Sequence, residues 1–357
     1  MTGSNPVSAS DPVPAPASGP VPGQAPRPGA LLARTREELA AALDGDTAPR
    51  AVVMTMGALH EGHFDLVVEA ARRAGPDGTV VVTIFVNPLQ FAAGEDLEAY
   101  PRTLEADVEG LVSILRAPDG EDALIVGRLI VFAPTPEVMY PDGDPAVRVD
   151  PGPIATVLEG ATRPTHFAGV LQVVLTLMHL TRPRWALFGR KDAQQLAIVR
   201  AMVRDLAVPV EIVPVEIRRE ADGLAMSSRN AYLTAQEREQ ALALCHALDA
   251  GREAARAGAS AAGVRTAALR VLTRAPGVEV DYVAVVAPDS FVDMTGAGPG
   301  LPCTGVGAGA GLPASRGPVG AERTDRPAEP ALLALAAKVG TTRLIDNALI
   351  TCGGPVA

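Results

Sequence analysis

Ala51-Val52-Val53-Met54-Thr55-Met56-Gly57-Ala58-Leu59-His60-Glu61-Gly62-His63 is the stretch that decides the fold. Ala51 to Val53 read as a strand that runs into a small-residue turn at Gly57-Ala58. Two histidines three residues apart then open an amphipathic segment. The order predicts a strand, a tight turn and a helix N-terminus, with a strand at Ala51–Met54 and a helix from about His60 to Arg73. A helix N-terminus carries unpaired N–H groups and a partial positive charge, which favour phosphate. Residues three apart share a helix face, so both imidazoles can point at one anion. Such a site suits an enzyme that makes or breaks a phosphoanhydride. A His pair alone is more often a pair of surface residues; the strand-turn-helix context favours the site. The spacing argues against a zinc protease, whose helix needs ligands at i and i+4, whereas the second histidine here comes one residue early.

Working outward, strands and helices alternate. Val80–Val86 is a continuous β-branched run, as in a strand buried on both faces. It ends at Asn87-Pro88, with Gln90 just beyond. Helices are expected at Arg34–Leu43, Pro101–Leu115, His166–Thr181 and Ala193–Leu206, and strands at Leu129–Phe132, Trp185–Phe188 and Val210–Val215. This alternation predicts an α/β fold with a Rossmann-like doubly wound parallel sheet over 31–217, whose ligands sit outside the C-terminal strand ends. His60/His63, Asn87/Gln90 and Lys191/Asp192 all follow strands directly.

Beyond about residue 217 the pattern changes to a smaller C-terminal α+β domain, 218–357. It has helices at Ala235–Ala257 and Ala261–Thr273 and strands at Val278–Val286, Ala331–Ala337 and Arg343–Leu349. Residues 1–30 hold eight prolines and read as a disordered tail. Residues 292–329, rich in Gly and Pro, read as a flexible insertion, and a second insertion lies near 118–129.

Composition narrows the function. The chain has 357 residues and a formal charge of −10, which argues against general nucleic-acid binding. No apolar run approaches the ~18 residues of a membrane span, so no membrane partner is expected. Three scattered cysteines, Cys245, Cys303 and Cys352, fit a reducing cytoplasm better than a disulfide framework. Lysine occurs only as Lys191 and Lys338. In so arginine-rich a chain a retained lysine suggests a need for a compact ammonium.

Gly189-Arg190-Lys191-Asp192-Ala193-Gln194-Gln195 follows a strand and opens a helix. Lys191 could neutralise phosphate charge. Asp192 could cap the helix or hold Mg²⁺ or a ribose. Gln195, four residues on, is expected on nearly the same face as Lys191. Met226-Ser227-Ser228-Arg229 offers hydroxyls and a guanidinium fork that suit a triphosphate. Arg163 and His166 could face a nucleotide or stabilise a loop, with Thr165 as N-cap of the next helix.

Together, I-F-V-N-P-L-Q-F-A-A-G-E-D-L-E-A-Y-P-R-T (84–103), R-P-T-H-F-A-G-V (163–170), F-G-R-K-D-A-Q-Q-L (188–196), R-E-A-D-G-L-A-M-S-S-R-N-A-Y-L (219–233) and G-T-T-R-L-I-D-N (340–347) resemble the pantothenate synthetase (pantoate–β-alanine ligase) family, within the HxGH nucleotidyltransferase superfamily. The resemblance implies ATP-dependent condensation of (R)-pantoate with β-alanine through an acyl-adenylate, releasing AMP and diphosphate. It implies ATP contacts at Met56, Gly57, Ala58, Leu59, His60, Glu61, Gly62 and His63, with His63 as proton donor. Further ATP contacts would be Gly189, Arg190, Lys191, Asp192, Arg218, Met226, Ser227, Ser228 and Arg229. His60, His63 and Lys191 would form the catalytic set. Gln90 and Gln195 would hold pantoate, with Gln90 bordering β-alanine. ATP would enter with Mg²⁺ and without a dedicated protein metal site, in a cytoplasmic homodimer. The chain departs from the family pattern at Met54, Arg190, Ala193 and Arg218, where Pro, Glu, Tyr and an aliphatic residue are usual.

Overall fold

The computed structural model describes residues 29–91, 97–98, 100–116, 125–296 and 329–353. The expected tail up to residue 28 and most of both expected insertions lie outside the described residues. In chain order the elements are β1 (Leu31–Ala33), α1 (Arg36–Leu43), β2 (Arg50–Thr55), α2 (Glu61–Ala74), β3 (Thr79–Ile84), α3 (Leu104–Leu115), β4 (Arg128–Phe132) and two single turns, α4 (Pro136–Met139) and α5 (Glu159–Thr162). Next come α6 (His166–Thr181), β5 (Trp185–Gly189), α7 (Ala193–Asp205), β6 (Glu211–Val215), α8 (Ala235–Ala241), α9 (Ala243–Arg256), α10 (Ala261–Arg274), β7 (Val278–Val286), β8 (Glu329–Val339) and β9 (Thr342–Cys352).

The first six strands form one parallel sheet in the order β1-β4-β3-β2-β5-β6. Their side chains alternate between two cores, as the pleat requires. Val52, Val81 and Ile130 point to the face covered by α1, α6 and α7. Ala51, Val53, Val80 and Val82 point to the face covered by α2 and α3. Strands buried on both sides explain why the sequence reads as apolar runs rather than as alternation. From β2 the chain steps outward through β3 and β4 on one side, then crosses back from β4 to place β5 and β6 on the other side of β2. The switch point therefore lies outside the C-terminal ends of β2 and β5, where a ligand crevice is expected.

The C-terminal α+β domain packs α8, α9 and α10 on the antiparallel sheet β7-β8-β9. Two of the joints that fix it to the parallel-sheet domain contrast in chemistry. One is apolar: Leu158 and Ala197 meet Ala284, Val286, Phe291, Leu332 and Ala334. The other is ionic. Arg343 Nη1 and Nη2 donate to Glu159 Oε2 and Oε1, both at 2.7 Å, and its Nε donates to Asp281 Oδ2 at 2.8 Å. Tyr282 donates its hydroxyl to Glu159 Oε1 at 2.9 Å. Burial works against ionising Glu159, but the bonds and charge of Arg343 prevail and hold its carboxyl below the ordinary value.

Several expectations change. β1 occupies residues read as the approach to a helix; three residues at a sheet edge carry no periodicity to detect. The helix expected at Ala235–Ala257 is two helices. Leu242 keeps helical angles (φ −61°, ψ −17°), but its N–H turns to Glu239 O, a local 3₁₀ tightening. The aperiodic segment is shorter than 292–329. Asp293 bridges Val286, Met294 N donates to Val285 O at 2.9 Å, and Glu329 already begins β8.

Candidate active site

From the end of β2 the chain turns through Gly57 (φ +88°) and Ala58 (φ +51°). Left-handed backbone at a residue with a Cβ is unfavourable by itself, and Asp107 holds it in place. Asp107 stands on α3, 4% exposed. Its carboxylate accepts from Ala58 N at 3.1 Å, Leu59 N at 2.8 Å and Thr103 Oγ1 at 3.2 Å. Thr55 Oγ1 accepts from Gly57 N at 3.2 Å and donates to Thr83 O at 2.9 Å.

The cradle of free N–H groups expected here is thus largely engaged within the protein. Gly57, Ala58 and Leu59 donate to side chains as just described, and so do His60 and Gly62. His60 N donates to His63 Nδ1 at 3.3 Å, and Gly62 N to His60 Nδ1 at 3.2 Å. The turn is built before any ligand arrives, so its buried amides need internal acceptors. An anion at this end of α2 meets the helix dipole and side chains. We expect Asp107→Ala, which leaves two amides without their acceptor, to cost about 1–3 kcal/mol of stability. Asp107→Asn, which keeps one acceptor oxygen, should fall between; urea midpoints check both.

The histidine pair is a reciprocal cap rather than two residues on one helix face. His60 is the N-cap and His63 the third residue of α2. Because each Nδ1 accepts a backbone N–H, each ring is assigned as the neutral tautomer with its proton on Nε2. The ring centroids are 4.1 Å apart. Burial, and then the charge of Lys191, hold His60 below the ordinary imidazole value. Burial, and then His60, push His63 down to about 3. Both rings are therefore neutral donors at pH 7, and the positive charge of the site comes from elsewhere.

Lys191 supplies part of it. The sharp exit from β5 places Arg190–Asp192 in a 3₁₀ turn before α7. Lys191 Nζ is 3.7 Å from Asp192 Oδ1, and the lysine side chain is 20% exposed. Of the roles open to Asp192, the side-chain cap is not made. Its carboxylate instead faces cations: burial raises its pKa, but Lys191, Arg229 and His166 lower it below the ordinary value. Because Lys191 lies before α7, helical spacing does not align it with Gln195, which sits half-buried in the first turn. Arg190 turns aside to Glu216, its Nε 2.7 Å from Oε1.

Beyond β3 two neutral amides meet. Gln90 is 8% exposed. Its Oε1 accepts from Asn87 Nδ2 at 3.2 Å, while its Nε2 donates to the thioether of Met56 at 2.9 Å. A thioether is a weak acceptor, so this buried amide can exchange it for a better one. Asn87 is itself fixed by Tyr140 Oη (2.9 Å) and Gly169 O (3.0 Å). Gly169 must lack a side chain, because a Cβ there would overlap Leu89 O and lie 2.6 Å from Gln90 N. Arg163 and His166 stabilise the loop: Arg163 Nη2 donates to Gln90 O, and His166 Nδ1 lies 3.0 Å from the same oxygen. Thr165 makes no cap.

The segment before Ser227 is a hairpin, closed by Met226 N donating to Arg218 O and by the Arg219–Ala225 bridge. Ser227 Oγ caps the following turn, and Ser228 and Arg229 are exposed. Arg218 sends its side chain to Asp65 at 3.4 Å, on α2. Among the described residues no group of three or more His, Cys, Asp or Glu could hold a metal ion, and no helix is long and apolar enough to cross a membrane. Sequence reasoning missed Asp107, Glu220, Asp346 and Asn347. Glu220 bonds Asn230 Nδ2 at 2.6 Å and Arg238 Nη2 at 2.6 Å, which stiffens the hairpin.

The family model described as pantoate-beta-alanine ligase matches residues 32–349. The pantothenate synthetase of Nocardia farcinica is 48% identical over 318 residues, covering 89% of this chain and 84% of that protein. That of Mycolicibacterium vanbaalenii is 49% identical over 304 residues, covering 85% and 82%. Among solved structures, pantothenate synthetase from Thermus thermophilus superposes with a TM-score of 0.70 at 41% identity, over 89% of this chain and 98% of that one. The pantoate-beta-alanine ligase of Francisella tularensis, solved with beta-gamma ATP and beta-alanine, gives 0.63 at 26% identity, over 90% and 97%. With a six-stranded parallel sheet, an HxGH turn at its switch point and these likenesses over most of its length, the chain belongs to the pantoate–β-alanine ligase family.

Proposed function

We propose that this ligase condenses (R)-pantoate with β-alanine through a pantoyl-adenylate, using ATP and releasing AMP and diphosphate. The observation that carries the reading is the company these groups keep. Lys191, Arg229, His60 and His63 lie within electrostatic reach of Asp192, and the buried neutral amide of Gln90 reaches Met56, four residues before His60.

A carboxylate is a poor electrophile and must be activated. A pantoate carboxylate oxygen attacks the α-phosphorus of ATP; the new O–P bond forms as the Pα–O–Pβ bond breaks, and diphosphate leaves with the electron pair. Negative charge grows on the phosphates during this step. Lys191 and Arg229 offset it, while His60 and His63 donate from Nε2 without first acquiring a proton. The β-alanine amine then attacks the acyl carbon, and AMP leaves. Gln90 and Gln195 hold pantoate as neutral amides, which leaves its carboxylate free to react. Met56 to His63, Gly189 to Asp192, Arg218 and Met226 to Arg229 line the ATP side. Arg190 and Arg218 contribute backbone there, since both guanidinia are engaged elsewhere.

Mg²⁺ bound to phosphates retains waters and takes one or two carboxylates; Asp192, a half-exposed carboxylate among cations, fits that role. A cytoplasmic homodimer, with the domains dividing near residue 217, completes the proposal.

The test is ATP–diphosphate exchange, which should require pantoate; AMP release independent of pantoate would refute the reading. Gln90→Ala should raise the pantoate requirement about 10–100-fold, the loss of hydrogen bonds to a charged ligand, with far less effect on ATP. Equal losses for both substrates would show the pocket to be misassigned. A pH titration gives a second check. Burial and His60 push the His63 pKa down to about 3, so its ring resonances in the free protein should not titrate through the ordinary imidazole range; a midpoint near pH 6.5 would contradict it.

A further inference from the structure

The C-terminal domain touches the phosphate side of the crevice through two consecutive residues of β9. Asn347, 6% exposed, donates from Nδ2 to Arg190 O at 2.9 Å and to Lys191 O at 2.8 Å. Asp346, 2% exposed, accepts from Asn347 N at 2.8 Å and from Arg219 Nη1 and Nη2 at 2.7 and 2.9 Å. Arg219 Nη1 also donates to Gly223 O at 3.0 Å, inside the hairpin that leads to Ser227. A single dipeptide thus grips both the turn bearing Lys191 and the hairpin bearing the second phosphate segment.

Local structure does not fix that turn. It is three residues of 3₁₀ helix between a strand and a helix, and the Asp192 side chain does not cap α7. The amide of Asn347 supplies the missing constraint. Its two N–H groups address two successive carbonyls, and Asp346 fixes the backbone from which it reaches.

We infer that Asn347 is a positioning residue for Lys191, so that the phosphate site is competent only while β9 is docked against it. The inference rests on the reading that Lys191 acts on phosphate. Asn347 touches no substrate in this scheme; it acts by holding the ammonium's backbone in register. A displacement of about 1 Å in a catalytic group can cost on the order of 10²-fold in rate.

A double-mutant cycle on the full chain tests it, with pantoate-dependent ATP–diphosphate exchange as readout and melting curves alongside. Asn347→Ala should lower kcat about 10–100-fold, whereas Gln90→Ala, a change in the turn beyond β3 that Asn347 does not touch, should act mainly on KM for pantoate. In a Lys191→Ala background, the same substitution should cost less than about threefold, since the group it positions is already gone. Asn347→Ser, which keeps one donor, should be intermediate, and it replaces Asn347→Ala in the cycle if the alanine variant fails to fold. Losses that multiply in the double variant would show a general structural role and overturn the inference. A Lys191→Ala variant with wild-type exchange would instead refute the role of Lys191, a failure visible in that single variant.

Discussion

Replacing Lys191 by alanine is expected to slow pantoate-dependent ATP–diphosphate exchange by roughly 10²–10³-fold, the loss found when one preorganised donor to a developing charge is removed. Stability should change by no more than about 0.5 kcal/mol, because the ammonium's ionic partner, Asp192, is distant at 3.7 Å and open to water. Lys191→Arg is the sharper variant. It keeps the charge but replaces a compact ammonium with a broad planar fork, in a turn held by Asn347 from behind. It should be impaired as well, though less than alanine. Near-normal turnover in Lys191→Ala would remove the residue from the mechanism. With both imidazoles neutral, the site has few other cations to share the load, which is why the expected loss is large.

The second large effect concerns the joint between the domains. Arg343→Leu removes the cation that compensates Glu159, whose side chain is only 14% exposed. Breaking a buried pair on one side leaves an uncompensated charge, and we expect a loss of about 3 kcal/mol at neutral pH. The pH dependence should identify the cause. In the wild type the Glu159 pKa lies below its ordinary value. Its stabilisation is therefore complete above the unfolded value of about 4.3 and fades as pH falls through the folded value. In Arg343→Leu the cation is gone, burial dominates, and the folded pKa rises above the unfolded one. That carboxyl then costs stability as pH rises through the same region. The deficit of the variant should be largest at neutral pH and smallest in acid, as read from urea midpoints across pH. A deficit independent of pH would show that the guanidinium contributes packing rather than charge.

Much of this architecture was legible in the sequence, for physical reasons. Strands buried on both faces leave continuous apolar runs such as Val80–Val82, and the helices between them carry the period that covers those faces. The strand ends then located His60, His63, Gln90 and Lys191. What escaped were residues whose roles depend on distant partners. Asp107 lies between Glu105 and Val108 and reads as part of a solvated helix face; only the crossing of α3 beneath the Gly57-Ala58 turn buries it. Asp346-Asn347 stood inside a quoted motif, yet nothing local says that a strand of one domain reaches a turn of the other. The caps that Thr165 and Asp192 could have made are absent because an N-cap needs extended backbone as well as a suitable side chain, and neither residue has it: Thr165 is at φ −94°, ψ −13° and Asp192 at φ −93°, ψ 61°. The histidines stand out in the sequence, but their neutrality was not legible, because it comes from burial and from each other.

Gly169 shows how a position without chemistry can limit the drift of a sequence. It bears no reactive group and offers only its carbonyl, to Asn87, and a scan for functional side chains would pass over it. Yet every amino-acid replacement adds a Cβ, and a Cβ would intrude on the peptide between Leu89 and Gln90. The backbone there cannot retreat without carrying Gln90 and Asn87 along. Mutational tolerance at residue 169 should therefore be as narrow as at a reacting residue. Its mutants should keep their nucleotide chemistry and lose their grip on the acid to be activated.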